Sequence, residues 1–156
     1  MPIIVGHRGA AAHILENTAA SFALAVQLGA HMIEFDVHES LDGEFIVVHD
    51  THLGRISQRR DVVCQTYSRI LLGIELNDGH RLLTLPQAVA TIPERVGVMV
   101  EIKAIRNFQK LAATIQRHAK HREVMVTSFD TTLVSGVASV TVMNENASGV
   151  VSPSCG

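Results

Sequence analysis

One stretch, residues 32–50 with the sequence MIEFDVHESLDGEFIVVHD, restricts the fold of this chain more than any other. Its first part is apolar enough for a buried strand, yet it contains Glu34 and Asp36. Because side chains alternate along a strand, the two acids share one face and Phe35 lies on the other. Two carboxylates on a buried face are costly without a cation beside them. The pattern therefore predicts a strand that holds a metal ion at one face.

The same stretch predicts a turn and a further strand. Asp42-Gly43 is a turn signal, and the apolar run after it, residues 45–48, ends at His49-Asp50. Further apolar runs bring the predicted strands to five, at 3–6, 32–37, 45–48, 96–102 and 124–129. We expect the first of them to be buried.

Three helices are predicted between these strands, the first and third from the helical spacing of apolar residues and the second from its start signal. The first follows a cap at Asn17-Thr18, and Gly29 is placed to end it. The second begins with a capping box at 84–87 and covers 85–91, and the third covers 107–120. The apolar stripes are Ala19, Phe22, Ala23 and Val26 in the first helix and Phe108, Leu111, Ala112 and Ile115 in the third.

The alternation of strands and helices indicates an α/β fold with a parallel sheet. Polar residues gather where four of the strands end, which is where parallel α/β folds form their sites, and this convergence favours a barrel. We expect one domain over residues 1–130, with an irregular excursion at about 51–81 that contains a short helix near 67–72. Residues 131–156 form an atypical, unassigned tail in which 137–143 is a candidate strand.

Composition narrows the class of partner and the location. The formal net charge of −2 does not favour nucleic acid or an anionic membrane as a partner. No apolar run is long enough to cross a bilayer, and residues 1–5 lack the pattern of a secretory signal. Cys64 and Cys155 are the two cysteines, which argues against a disulfide framework. The expected location is cytoplasmic.

Six short motifs follow one another in a definite order: His7-Arg8-Gly9, Glu16-Asn17-Thr18, Glu34-Phe35-Asp36, His49-Asp50, Glu101-Ile102-Lys103 and Ser128-Phe129-Asp130. In this order, they resemble the glycerophosphodiester phosphodiesterase family over roughly residues 3–130. The resemblance implies a TIM (β/α)8 barrel with a small insertion where residues 51–81 lie. It also implies hydrolysis of small-molecule glycerophosphodiesters to an alcohol and glycerol 3-phosphate with a divalent cation, Mg²⁺ or Ca²⁺.

The resemblance further implies roles for single residues, and their chemistry agrees with those roles. Carboxylates are hard ligands suited to Mg²⁺ or Ca²⁺, cationic side chains neutralise a phosphoryl group, and histidines exchange protons near neutral pH. Attack by a glycerol hydroxyl through a cyclic phosphate and direct attack by water both remain open. The implied set is Glu34, Asp36 and Glu101 as metal ligands, His7 and His49 as the acid/base pair, Arg8 and Lys103 as phosphate-binding residues, and Glu16 as a residue that shapes the metal and glycerol site.

Chain length bears on the barrel and on the activity. A complete barrel needs about 200 residues or more, whereas this chain has 156. We therefore expect an incomplete barrel with five or six strands, as a frameshift or early stop in a longer gene would give. An open edge strand favours association into a homo-oligomer. The alternative functions are an inactive truncated remnant or phosphate-binding module, and a phospholipase D-like activity on lysophospholipids.

Overall fold

A computed structural model describes residues 2–128 of the chain. Six strands form one sheet, and four α-helices connect or flank them. The strands are β1 (Val5–His7), β2 (Met32–Glu39), β3 (Phe45–Val47), β4 (Leu83–Thr84), β5 (Gly97–Ala104) and β6 (Val124–Ser128). The helices are α1 (Ala19–Gln27), α2 (Ser68–Leu71), α3 (Leu85–Thr91) and α4 (Phe108–Ala119), with short 3-10 helices at Leu53–Arg55 and Val63–Gln65.

β2 is the central strand, and the parallel sheet expected from the sequence is built around it. It pairs in parallel with β1 and β5, and β5 pairs in parallel with β6. β3 differs, because it runs antiparallel to β2 and continues into an antiparallel pair with the short β4. The loop between β2 and β3 is too short for a parallel crossover, which needs a dozen or more residues.

The main apolar core lies between one face of the sheet and helices α1, α3 and α4. Phe35 of β2 is fully buried there and packs against Phe22 of α1 with ring centroids 5.8 Å apart. Burial of such a side chain stabilises the fold by about 1.5–3 kcal/mol. Ile33 and Val37 point to the same core, so the apolar face of β2 predicted from alternation is confirmed. The opposite face of β2 is left for the two acids.

The excursion after β3 has a small core of its own. Leu53, Val63, Leu71 and Leu82 are buried together there against side chains from the end of β3. The short helix predicted near 67–72 is confirmed as α2. The excursion is therefore packed onto the sheet.

Local start and stop signals are confirmed at the helices. Thr84 and Gln87 form the predicted capping box, and α3 has the predicted bounds. Asn107 caps α4, and Thr18 caps α1 by accepting a hydrogen bond from the main-chain N of Ser21 at 3.2 Å. The predicted stripe of α1 is wrong in part. Its buried residues are Ser21, Phe22 and Ala25, whereas Ala23 is exposed.

The first strand was expected to be buried, and this expectation is wrong. Ile3 and Ile4 precede β1 with 62% and 52% of their surface exposed, and Val5 within it is 38% exposed. β1 pairs with β2 along one edge, and none of the elements described for residues 2–128 pairs with its other edge.

Some sequence predictions lie outside the described residues. They concern Phe129 at the end of the last strand, the candidate strand at 137–143, the boundary at residue 130 and Cys155. Within residues 2–128, no helix combines the length and the apolar character that a membrane crossing requires.

Candidate active site

The pairing register of the parallel strands brings the predicted metal ligands together. Asp36 of β2 lies beside Glu101 of β5, and His7 of β1 lies beside Glu34 of β2. Neighbours in parallel strands point to the same face of the sheet, so these side chains converge at the carboxyl ends of the strands. One carboxylate oxygen from each of the three acids lies within 4.8 Å of the others.

Asp36 is the most enclosed of the three acids, since its side chain is fully buried. Its Oδ2 accepts a hydrogen bond from Asn17 Nδ2 at 2.9 Å, and its main-chain N donates to Asn17 Oδ1 at 3.3 Å. Two cations flank the carboxylate. Arg8 Nε lies 3.3 Å from Oδ2 and Lys103 Nζ lies 3.2 Å from Oδ1. The charge of this buried acid is therefore compensated from both sides.

Glu34 lies in a less compensated position. It is only 4% exposed, and its Oε2 accepts a hydrogen bond from the main-chain N of Arg8 at 2.8 Å. Its Oε1 is buried without a hydrogen-bond partner among the residues described. Burial first, and then the charge of Asp36, raise the pKa of Glu34 to about 8. A bound cation would favour the carboxylate form instead.

Glu101 completes the cluster and is linked to Lys103. Lys103 Nζ donates a hydrogen bond to Glu101 Oε1 while it also contacts Asp36. The three carboxylates supply hard oxygen ligands, and the unpartnered Glu34 Oε1 leaves one acceptor open, so the donor set fits Mg²⁺ or Ca²⁺. Lys103 would contact two of the ion's ligands, Asp36 and Glu101.

The His7-Arg8-Gly9 segment turns sharply at the end of β1. Arg8 and Gly9 both have positive φ angles, 53° and 80°, a region that side chains other than glycine enter at a cost. This turn directs the main-chain N of Arg8 at Glu34. It also brings Gly9 against α1, where a Cβ on Gly9 would lie 2.3 Å from Ser21 Oγ. His7 remains mostly exposed, with Nε2 3.8 Å from Glu34 Oε2.

His49 lies two residues after the end of β3 and is held from two sides. Its Nδ1 lies 2.7 Å from Asp50 Oδ1. Its carbonyl oxygen accepts a hydrogen bond from Nε2 of His38 at 2.9 Å. His38 is buried on β2, and burial lowers its pKa, which favours the neutral ring. The His38 ring therefore has a structural contact, which fixes the main chain at His49.

Glu16 lies between two arginines. Its oxygens accept hydrogen bonds from Arg8 Nη1 at 3.3 Å and from Arg55 Nη2 at 2.6 Å. Arg55 also donates a hydrogen bond to Asp50, and its role was not predicted from the sequence. Its position in an irregular excursion gives no periodic signal. Asn17 was identified in a helix cap and in the Glu16-Asn17-Thr18 motif, but its hydrogen bonds with Asp36 were not predicted. The part of Glu16 in a glycerol site stays a prediction.

Comparison with known proteins gives consistent matches. The profile of the Glycerophosphoryl diester phosphodiesterase family matches residues 7–148. A glycerophosphodiester phosphodiesterase of Caldanaerobacter subterraneus is 29% identical over 141 residues, which cover 82% of this chain and 58% of that protein.

Two solved structures resemble the described fold. The crystal structure of glycerophosphodiester phosphodiesterase from Agrobacterium tumefaciens superposes with a TM-score of 0.84 and 32% identity, covering 90% of this chain and 63% of the other. An Oleispira antarctica phosphodiesterase in complex with the product sn-glycerol-3-phosphate gives a TM-score of 0.83 at 21% identity, covering 98% and 65%.

The matches bear on the fold and on the length. The α/β fold class is confirmed, and the six described strands are consistent with an incomplete TIM barrel. The chain spans about half the length of the relatives that it matches, 44% and 58% of two of them.

Proposed function

Because the chain belongs to the glycerophosphoryl diester phosphodiesterase family, we propose that it hydrolyses glycerophosphodiesters to an alcohol and glycerol 3-phosphate. The observation that carries this proposal is the convergence of unlike groups at one end of the parallel strands. Three carboxylates within 4.8 Å of one another lie beside two cationic side chains, and a histidine adjoins one of the acids. A cation, a phosphate group and a transferred proton would each find a partner there.

The three acids are the proposed ligands of a divalent cation. Glu34, Asp36 and Glu101 would hold Mg²⁺ or Ca²⁺. A cation bound there would polarise a phosphoryl oxygen of the substrate. Asn17 orients the Asp36 carboxylate by donating a hydrogen bond from Nδ2 to Oδ2, and its own amide is held by a second hydrogen bond from the Asp36 main-chain N. Residues behind metal ligands tune the affinity in this way.

Arg8 and Lys103 are the proposed phosphate-binding residues. Arg8 lies against Asp36 and Glu16, and Lys103 lies between Asp36 and Glu101, so both cations are already fixed beside the acids. Preorganised positive charge stabilises the charge that develops on a phosphoryl group. Glu16 holds Arg8 in place, which is how it would shape the glycerol end of the site.

His7 and His49 are the proposed acid/base pair. One would remove a proton from the attacking hydroxyl, and the other would protonate the leaving alkoxide. His7 is mostly exposed beside Glu34, and His49 is partly exposed with Nδ1 directed at Asp50, so both rings are accessible to a ligand. The attacking group is either a glycerol hydroxyl or water, and the same pair serves both routes.

The substrate class is supported by the relatives rather than by contacts in this chain. The Oleispira antarctica phosphodiesterase was solved with sn-glycerol-3-phosphate as its product. A product of that kind presents a phosphate group, which Arg8 and Lys103 would bind in this chain.

An assay of the full chain tests the proposal. Release of glycerol 3-phosphate from glycerophosphocholine and glycerophosphoethanolamine is measured with Mg²⁺, with Ca²⁺ and with a chelator. Glu34→Ala and His7→Ala are expected to lower the rate by about a hundredfold or more. Glu123→Ala and His80→Ala are the matched controls, because Glu123 is exposed, His80 is partly exposed, and neither belongs to the cluster of three carboxylates.

Three outcomes would contradict the proposal. Unchanged activity in both Glu34→Ala and His7→Ala would overturn the site assignment. No cation-stimulated release from a folded wild-type chain, together with retained binding of glycerol 3-phosphate, would favour a phosphate-binding module. Choline release from lysophosphatidylcholine but not from glycerophosphocholine would favour the phospholipase D-like alternative.

A further inference from the structure

Arg55, in the excursion after β3, contacts two acids that approach it from separate parts of the chain. Its Nε donates to Asp50 Oδ2 at 2.7 Å. Its Nη2 and Nη1 donate to Glu16 at 2.6 and 3.2 Å. The guanidinium therefore spans two carboxylates with three hydrogen bonds, a geometry that its planar fork allows and that an ammonium group does not.

Each of the two acids is bonded in turn to a residue of the proposed site. Asp50 Oδ1 lies 2.7 Å from His49 Nδ1, and Glu16 accepts from Arg8 Nη1 at 3.3 Å. The result is a continuous path of charged contacts from His49 through Asp50, Arg55 and Glu16 to Arg8. It joins a proposed acid/base residue to a proposed phosphate-binding residue.

The contact with Asp50 has a consequence for the imidazole ring. Because an ionised carboxylate only accepts hydrogen bonds, the proton of a neutral His49 ring lies on Nδ1, and Nε2 remains the unprotonated nitrogen. The hydrogen bond from Arg55 is the largest cause that lowers the pKa of Asp50 to about 2, but an ordinary aspartate is also ionised at neutral pH. Arg55 therefore acts through geometry, because it holds Asp50 Oδ2 at 2.7 Å and so directs Oδ1 at His49 Nδ1. An imidazole without such a partner favours the opposite tautomer.

We propose that Arg55 is a positioning residue that acts through Asp50 to fix the orientation and tautomer of His49. The proposal rests on the proposed function for its catalytic meaning, but the state of the His49 ring does not depend on turnover. Among residues 2–128, the described contacts of Arg55 include none of the three proposed metal ligands and do not include Lys103.

The excursion supplies a matched control. Arg59 also pairs with an acid, through Nε at 2.8 Å from Asp61 Oδ2 and Nη2 at 2.8 Å from Asp61 Oδ1. Arg59 is about as exposed as Arg55, Asp61 is partly buried as Asp50 is, and the Arg59–Asp61 pair joins no residue of the proposed site. Arg59→Met therefore removes the same charge and the same kind of ion pair, four residues from Arg55, without touching His49.

The first measurement reads the His49 ring directly. Nitrogen chemical shifts of the imidazole, assigned with a His49→Gln spectrum, give its tautomer in the full-length chain at a pH at which the ring is neutral. The wild-type chain and Arg59→Met are expected to show the Nδ1–H tautomer. Arg55→Met is expected to shift His49 toward the Nε2–H tautomer. Arg55→Lys is expected to keep part of the Nδ1–H population.

The second measurement is a double-mutant cycle on kcat. Arg55→Met is expected to lower kcat by about ten- to a hundredfold, below the full value of general acid–base catalysis. KM is expected to change much less, because Arg8 keeps its contacts with Asp36 and Glu34. If Arg55 acts through Asp50, adding Asp50→Asn to Arg55→Met lowers kcat little further. Arg59→Met keeps the wild-type kcat.

The two measurements separate the outcomes. An unchanged His49 tautomer in Arg55→Met, with the wild-type chain in the Nδ1–H form, overturns the proposal. Additive losses of kcat in the double mutant also overturn it. If the wild-type chain does not hydrolyse glycerophosphodiesters, the proposed function fails, and the tautomer measurement alone decides the role of Arg55.

Discussion

Asn17 and Asp36 are joined by two hydrogen bonds, one from the Asn17 amide to the Asp36 carboxylate and one from the Asp36 main-chain N to the Asn17 carbonyl oxygen. Asn17 adopts a φ of 59°, a left-handed conformation that asparagine tolerates better than most residues. The side chain that precedes the cap of α1 therefore fixes the central acid of the site.

Replacement of Asn17 should destabilise the fold. Asn17→Gly removes both hydrogen bonds and leaves the Asp36 main-chain N unpaired in a buried position, which should lower the free energy of unfolding by about 1–3 kcal/mol. Asn17→Ala should cost about 1 kcal/mol more, because alanine is strained at positive φ. Urea denaturation measures both values. Equal stability of Asn17→Gly and wild type would contradict this account.

Two glycines with positive φ should respond differently to alanine. Gly9 has a φ of 80°, and a Cβ there would overlap the Ser21 main chain, with its carbonyl carbon 2.7 Å away. Gly29 has a φ of 89° and nothing within 4 Å of an added Cβ. Gly29→Ala should cost about 1 kcal/mol from strain alone.

Gly9→Ala should cost at least about 2 kcal/mol, since overpacking adds to strain. The thermal unfolding temperatures of both variants measure the difference. The turn at Arg8 should also shift in Gly9→Ala, so that phosphate binding weakens while Gly29→Ala binds as wild type does. A smaller loss of stability in Gly9→Ala than in Gly29→Ala would contradict the packing described.

Binding of a divalent cation should release a proton from Glu34. Without a cation the pKa of Glu34 is about 8, so the group is mostly protonated at pH 7. A bound cation favours the carboxylate, and about one proton should be released per ion at pH 7, falling toward zero above about pH 9. Calorimetric titration with Mg²⁺ or Ca²⁺ in two buffers of different ionisation enthalpy measures this number.

Glu34→Gln should abolish the proton release and weaken cation binding, while Glu123→Gln should leave both unchanged. Heats of binding that are the same in the two buffers at pH 7, from a chain that does bind the ion, would show that Glu34 is already ionised.

Asp50 should contribute stability that is lost in acid. The hydrogen bond from Arg55 and then that from His49 lower its pKa from 3.8 to about 2. A depressed folded-state pKa stabilises the fold at pH values above the unfolded pKa, and this contribution disappears as pH falls toward 2. Asp50→Asn should therefore cost about 1–2 kcal/mol at pH 6 and almost nothing at pH 2. Chemical denaturation across this range tests it, and a pH-independent cost would contradict it.

Sequence patterns identified the features that depend on near neighbours. Thr84 and Gln87 form a capping box because their bonds close within three residues, and α3 follows with the predicted bounds. The grouping of Glu34, Asp36 and Glu101 was also predictable. Parallel strands bring their carboxyl ends to one edge, and motif order identified which strands these are.

The rest depended on contacts that no local pattern encodes. Arg55 lies 39 residues from Glu16 along the chain, in a segment without periodicity, so nothing near it indicates its partners. Ile4 is apolar but exposed, because its burial depends on which elements pair with β1. The apolar composition of the segment alone does not show which elements these are. The short loop between β2 and β3 makes β3 antiparallel to β2. The alternation of strands and helices had indicated a parallel sheet, so this direction was not predicted.

The pairing of β2 on both edges has a consequence for amide hydrogen exchange. One edge is bonded to β1 over residues 32–34 and to β3 over 37–39, and the other is bonded to β5 over most of its length. The amide hydrogens of β2 can exchange only when much of the sheet opens, so their exchange rates should be among the slowest in the molecule. Glu34 and Asp36 are thus attached to backbone that local fluctuations do not displace. Cation binding would then begin with ordered ligands, and its entropy should carry no term for assembling a loop.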